Sequence, residues 1–391
     1  MSKTPKRNIV KDGIAFTGKS WSYVLRIPDP VSGKSKPKWV GGFDTQESAL
    51  LARDEARVAL RKRTYVPPSE RTVGEFLNTW LHTVHRQQLK DTTYHSYEKI
   101  VRNYLVPGLG LIKLSDLKPS DVQRFYTETL SKPGVSGKNL EPRTVAYAGA
   151  ILKKAVKYAV EVEGVLAFNP VSRVALPKTN PKVPTPWNMQ ELDTFLENAR
   201  THRLFFFFRL SAYTGARRGE LLAIKWTDFD GSYITISKSR TLAGKQVIET
   251  NSTKGGKGGQ RRVKLDPETI ELFNEHRKRQ LDEAQKFMKL GAWNNTGYVF
   301  VQENGLPLDT GTPSHLFGKL SKVAGLRSIR LHDLRHLHAT ELLRLGEPLH
   351  VVSDRLGHKD PMVTATIYAH VSDEQAETAS NTFANRTRNA I

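Results

Sequence analysis

The chain has 391 residues, which at roughly 100–200 residues per domain is enough for two to four domains and excludes a peptide or a single small module. Sixty Lys and Arg against thirty-nine Asp and Glu leave a formal charge of +21 at pH 7, a self-repelling excess that calls for a polyanionic partner such as nucleic acid or an anionic membrane. No run approaches the ~20 apolar residues of a membrane span, the polar start lacks a secretory signal's apolar stretch, and the absence of cysteine excludes disulfides, thiolate zinc sites and a cysteine nucleophile, so a reducing, intracellular setting with no membrane partner is expected.

Proline-bearing stretches at 66–69 and 177–186 divide the chain into segments 1–66, 67–176 and 187–391, with 177–186 as a linker. In the first segment Trp21, Tyr23, Leu25 and Ile27 alternate with polar neighbours, a turn follows at 30–33, and Lys38-Trp39-Val40 resumes the pattern, which predicts a β-hairpin or small sheet. The spacing turns helical over 46–63. This segment holds fourteen Lys/Arg against six Asp/Glu, so a basic sheet with aromatic residues could lie in a DNA groove. The second segment predicts four helices, at 73–84, 92–104, 119–130 and 142–162, broken at Gly108-Leu109-Gly110 and at 131–140. In the third, Asn188 to Glu191 reads as a helix start, 204–210 as a buried helix containing four consecutive phenylalanines, and Thr214-Gly215 as its end. Strands are expected at 233–237, 245–250 and 261–265, then a long helix at 267–289, a short strand at 298–301, and helices to the end. The expected class is mainly α with small antiparallel β-sheets, one of them in the third segment.

Four pieces of the third segment carry chemistry-bearing side chains: Thr214-Gly215-Ala216-Arg217-Arg218-Gly219-Glu220-Leu221; the glycine-rich Lys254-Gly255-Gly256-Lys257-Gly258-Gly259; His332-Asp333-Leu334-Arg335-His336; and Leu356-Gly357-His358 followed by Tyr368-Ala369-His370. Their order and spacing resemble the tyrosine recombinase family of phage integrase type, whose signature runs Arg, Lys, His-x-x-Arg, His or Trp, then a nucleophilic Tyr. The three-segment layout is similar to integrases with an added N-terminal arm-binding domain. The resemblance implies a multidomain, C-shaped DNA clamp in which 1–66 binds arm sites, 67–176 binds core sites and 187–391 is catalytic. It implies a homotetramer on double-stranded attachment sites, passing through a Holliday junction to integrate or excise a phage or mobile element in a bacterial host's cytoplasm, near the nucleoid. A host DNA-bending protein and an excision factor are possible partners.

Residue chemistry makes separate sense of the set. Cleaving a phosphodiester without a metal requires neutralising the nonbridging oxygens, supplying a nucleophile and protonating the leaving 5′-oxygen. Arg217 and Arg335 offer planar forks for phosphate oxygens. His332 lies three positions before Arg335, so on a helix the two face one way, and His332 would donate a hydrogen bond or shuttle a proton. The resemblance gives His358 a second phosphate bond and Lys254 the general-acid role; Glu220 would support Arg217. Tyr368, two turns after a helix start at Asp360-Pro361, would attack phosphorus and leave a 3′-phosphotyrosine, which stores the bond energy without ATP. Its ordinary pKa near 10 requires a base or a cationic neighbourhood. Lys257 is a second candidate for the lysine, with Lys254 preferred for its Thr-Lys-Gly context. Arg218 is structural or reaches DNA.

The Gly-x-x-x-x-Gly-Lys-Ser/Thr order of a nucleotide loop is absent, and Asp333 stands where a helical zinc-protease motif has Glu, so no cofactor and no metal is expected. His336 and His338 read as packed or solvent-facing histidines. Two rival functions remain, a non-catalytic sequence-specific DNA-binding protein and a relaxing enzyme of the type IB topoisomerase kind.

Overall fold

The computed structural model describes residues 8–10, 13–28, 35–61, 70–131, 133, 137, 139–179, 185–251 and 259–358. Lys254, Lys257, Tyr368 and the helix start expected at Asp360-Pro361 lie outside the described residues. The chain forms two compact units, Met1–Asn180 and Pro181–Ile391.

The first unit opens with a four-stranded antiparallel sheet in sequence order, β1 (Asn8–Val10), β2 (Ile14–Phe16), β3 (Trp21–Pro28) and β4 (Ser35–Phe43). The period of two in β3 sends Tyr23 and Leu25 to one face, where they join Ile14 and the Ala49 and Ala56 positions of α1 (Gln46–Arg61) in a small core. Arg26, Lys36 and Lys38 on β3 and β4 are exposed.

A capping box starts α2 (Val73–Thr79): Thr72 Oγ1 accepts from the Glu75 amide at 3.2 Å, and Glu75 Oε2 accepts from the Thr72 amide at 2.9 Å. The helix continues through a wide turn at Trp80–His85. α3 (Asp91–Ile100) likewise passes through Val101–Leu105 into the short α4 (Val106–Leu109), and α5 (Pro119–Ser131) and α6 (Pro142–Glu161) complete the bundle. Phe76, Trp80, Leu105, Phe125 and Leu152 form its core. Gly108 does not break a helix as expected but lies within α4; a Cβ there would sit 2.5 Å from the Phe125 ring, so the glycine admits the close approach of α5. The chain leaves the helix at Gly110.

The second unit begins with α7 (Met189–Ala199), started by an Asn188–Glu191 capping box. Its centre is α8 (Phe205–Thr214), whose four phenylalanines are all buried, Phe206 meeting Phe273 and Phe300 and Phe208 meeting Phe195. A helix apolar on every side belongs in the middle of a core. After α9 (Arg218–Leu221) come β5 (Tyr233–Ile236), β6 (Ser239–Ala243), β7 (Gln246–Thr250) and β8 (Arg261–Lys264), then α10 (Pro267–Lys289), α11 (Thr312–Val323), α12 (Asp333–Arg344) and α13 (Leu349–Leu356). In place of one sheet there are two antiparallel pairs, β5 with β8 and β6 with β7. The Ser-Arg-Thr-Leu-Ala sequence of β6 lacks apolar alternation and so carries no strand signal of its own. The expected strand at 298–301 makes only isolated bridges, Lys225 with Tyr298 and Val301 with Pro307. The whole is mainly helical with small antiparallel sheets. Among the described residues no helix is long and apolar enough to cross a membrane.

Candidate active site

Two helices that end on left-handed glycines set the geometry. Gly215 (φ 62°) terminates α8 two residues before Arg217, and Gly357 (φ 69°) terminates α13 immediately before His358. Any side chain is strained at such φ, and neither glycine has room for one. A Cβ on Gly215 would lie 2.6 Å from Leu356 Cδ2, and one on Gly357 would lie 2.8 Å from Arg261 Nη1.

Arg335, one turn into α12, joins these two turns. Its Nη1 donates to the Gly215 carbonyl at 2.7 Å and its Nη2 to the Leu356 carbonyl at 2.8 Å, and the residue is buried. Arg355 holds the same end of α13 to α8, donating to the Tyr213 carbonyl at 3.0 Å and to His338 Nε2 at 3.1 Å. Burial first, then the Arg355 charge, push His338 down to about 3. His338 is therefore a neutral packing group.

Arg217 caps α9 in a reciprocal box with Glu220. The Arg217 amide donates to Glu220 Oε2 at 3.0 Å and its Nη1 to Oε1 at 2.8 Å. Glu220, 1% exposed, also accepts from Arg261 Nη2 at 2.8 Å. Burial opposes the charged carboxylate, but Arg261 by charge and hydrogen bond, with Arg217 behind it, holds the Glu220 carboxyl below the ordinary carboxylate value.

His332 precedes α12 and lines, with Arg217, Arg218, Ser314 and Arg330, a cleft of about 550 Å³. Protein packed around its ring strips solvation from the imidazolium, and His336, Arg335 and Arg217 repel it. Against the pull of Asp333 its pKa falls to about 4, although the residue is exposed. His358 is driven to about 4 by burial, then by Arg335, Arg217, Arg261 and His336. Arg217, His332, Arg335 and His358, from three stretches of chain, thus share one cation-rich neighbourhood in which both histidines are neutral at pH 7. Each neutral imidazole offers one donor and one acceptor, and the positive charge comes from the arginines.

Arg218 is exposed and donates to Ser314 Oγ at 2.7 Å. Two neighbours of the site lie outside the family signature: Arg261 was not singled out from the sequence, and His336 reads there only as a packed or solvent-facing histidine. His336 lies one turn along α12 with its ring 5.3 Å from that of His332, and Arg261 sits beneath Glu220. Arg261 shares its strand parity with the buried Val263, whereas the intervening Arg262 is exposed, and that inward register was the available signal.

A model of the phage integrase family matches residues 185–375, and one of the phage integrase N-terminal SAM-like domain matches 72–130. A tyrosine recombinase XerC-like protein of Caldanaerobacter subterraneus is 31% identical across 97% of this chain and 98% of its own length. The chain belongs to the phage integrase family of tyrosine recombinases. Its activity is site-specific DNA recombination, and its partner is DNA. The ICEBs1 integrase of Bacillus subtilis is 29% identical over 64% of this chain and 68% of its own. Among solved structures, the fold is similar to that of the Tn1549 transposon integrase with a circular intermediate DNA, with TM-score 0.63 at 20% identity, covering 80% of this chain and 100% of that one. It is also similar to a lambda integrase tetramer bound to a Holliday junction, with TM-score 0.56 at 19% identity, covering 92% of this chain and 97% of that one.

Proposed function

We propose that this integrase joins and excises a phage or mobile element through a 3′-phosphotyrosine formed by Tyr368. The carrying observation is the shared neighbourhood of Arg217, His332, Arg335 and His358, since cleaving a phosphodiester without a metal requires fixed cations and hydrogen-bond donors around the phosphate. In this reading Arg217 and Arg335 neutralise the nonbridging oxygens, and His358 donates to one of them. His332, neutral at pH 7, donates a hydrogen bond to the phosphate or shuttles the Tyr368 proton. Tyr368 Oη forms a bond to phosphorus as the bond to the 5′-oxygen breaks, and that oxygen takes a proton from Lys254, with Lys257 as the alternative donor. A 5′-hydroxyl from a partner duplex then attacks phosphorus and releases Tyr368. Glu220 holds Arg217 in place.

Paired exchanges of this kind need four active sites, so a homotetramer on two core sites follows. Segment 67–176 and segment 187–391 bind the core, and the basic segment 1–66 binds separate arm sites. The bacterial cytoplasm is the setting, and a host bending protein and an excision factor complete the assembly.

The test uses nicked duplexes tiled across the DNA flanking the gene, incubated with wild type or Tyr368→Phe and run on denaturing gels. A covalent adduct with wild type and none with Tyr368→Phe supports the reading. Retarded DNA on native gels without an adduct from either protein would favour a DNA-binding protein that lacks the chemistry.

A further inference from the structure

Arg261 has no place in the residue set above, yet four parts of the site meet at its guanidinium. Its Nη2 donates to Glu220 Oε2 at 2.8 Å, beneath Arg217. Its Nε donates to the Arg355 carbonyl at 2.7 Å, in the last turn of α13, and its Nη1 to the Gly259 carbonyl at 3.2 Å. The same group lies against Gly357, where a Cβ would come within 2.8 Å of Nη1 and 3.2 Å of Cζ. The side chain is 6% exposed.

The geometry explains why this residue is arginine. One planar fork addresses a carboxylate and two carbonyls in three directions, whereas the lysine ammonium is a single point on a flexible stem. Lysine could keep the ion pair with Glu220 but not both carbonyl bonds. Two elements distant in sequence, the Arg217 cap and the turn that presents His358, therefore take their separation from one rigid group.

We infer that Arg261 is a positioning residue for the cleavage step, fixing Arg217 through Glu220 and His358 through the end of α13. It touches neither the phosphate nor the nucleophile. The inference rests on the proposed reading of Arg217 and His358 as phosphate ligands. Its consequence is selective. Loss of the fork leaves DNA affinity, which is spread over many basic residues, but misplaces the two groups that stabilise charge on the reacting phosphate. A misplacement of about 1 Å can cost about 100-fold in rate.

The experiment compares full-length wild type, Arg261→Lys, Arg261→Gln and Tyr368→Phe on a fluorescent nicked duplex carrying the core site. It measures duplex affinity, thermal melting and the single-turnover rate of adduct formation at saturating protein. Arg261→Lys, which keeps a cation against Glu220, binds as wild type and melts only a few degrees lower, yet forms adduct about 100-fold more slowly; Arg261→Gln is slower still. A second substrate replaces the bridging 5′-oxygen by sulfur, a leaving group that departs without protonation. It does not restore Arg261→Lys, because the defect lies at the nonbridging oxygens. A wild-type rate for Arg261→Lys, a rate loss matched by lost affinity or by a melting temperature lower by more than a few degrees, or restoration by the sulfur substrate overturns the inference. If wild type itself forms no adduct, the reading of the site fails and takes the inference with it.

Discussion

Glu220→Gln probes the electrostatic centre of the site with almost no change of shape. The carboxylate is 1% exposed and accepts three hydrogen bonds, two from Arg217 at 3.0 and 2.8 Å and one from Arg261 at 2.8 Å. The amide cancels the charge, and its NH₂ must turn toward at least one guanidinium donor. Breaking a buried ion pair by removing one partner costs about 3–5 kcal/mol. The Arg261 side chain is 6% exposed and Arg217 21%, so the Arg261 contact contributes most, and a loss of about 3 kcal/mol is expected. Because the Glu220 carboxyl titrates below its ordinary value of 4.5 in the folded protein, its stabilisation is complete above that value and is lost as pH falls through the lowered one. Urea unfolding of both proteins should therefore show a constant gap at neutral pH that closes only in acid. A variant within about 0.5 kcal/mol of wild type, as for an ordinary surface change, or a gap that ignores acid, would refute the argument.

Three further outcomes follow. His276 is 6% exposed, its Nε2 2.8 Å from the Val299 carbonyl and its Nδ1 2.7 Å from Arg279 Nη2, and burial is the main cause of a pKa of about 4. A histidine with a lowered folded pKa stabilises fully above its unfolded value of 6.5 and progressively less below it, by up to about 1.4 kcal/mol per pH unit down to about 4; urea melts across that window should slope, and His276→Gln should reduce the slope by up to that amount while His332, His338 and His358 supply the remainder. Gly357→Ala, which drives a Cβ against Arg261, should slow adduct formation far more than Gly346→Ala, where φ is 89° and nothing lies within 4 Å, since both carry the backbone strain and only one displaces the site. With a charge of +21, core-site affinity should fall linearly with salt on a log–log plot, by about 0.9 per phosphate contacted, and an affinity insensitive to salt would contradict a backbone-dominated interface.

Much of the architecture was legible from periodicity and punctuation. The long helix expected near 267–289 is α10, where Pro267 stands at the first turn and the Asp266 side chain caps the start. Where reading failed, tertiary packing had replaced the local rule. Gly108 has the sequence of a breaker but is used for its missing side chain against Phe125, and β6 is held as a strand by pairing with β7 despite a polar sequence. In the site, the signature residues stood out because each belongs to a short motif. Arg261 has no motif; its role depends on a carboxylate 41 positions away and a carbonyl 94 positions away, which only the fold brings together. His336, which reads from the sequence as a packed or solvent-facing histidine, lies against His332 and adds to the lowering of both His332 and His358.

In the proposed chemistry Tyr368 carries the DNA. Wild-type protein trapped on a nicked core-site duplex, digested with nuclease and protease and sequenced by mass spectrometry, should yield a peptide spanning Tyr368 with a nucleotide 3′-phosphate on the phenolic oxygen. A nucleotide found on another residue, or a site fully occupied by DNA with every tyrosine unmodified, would contradict the account.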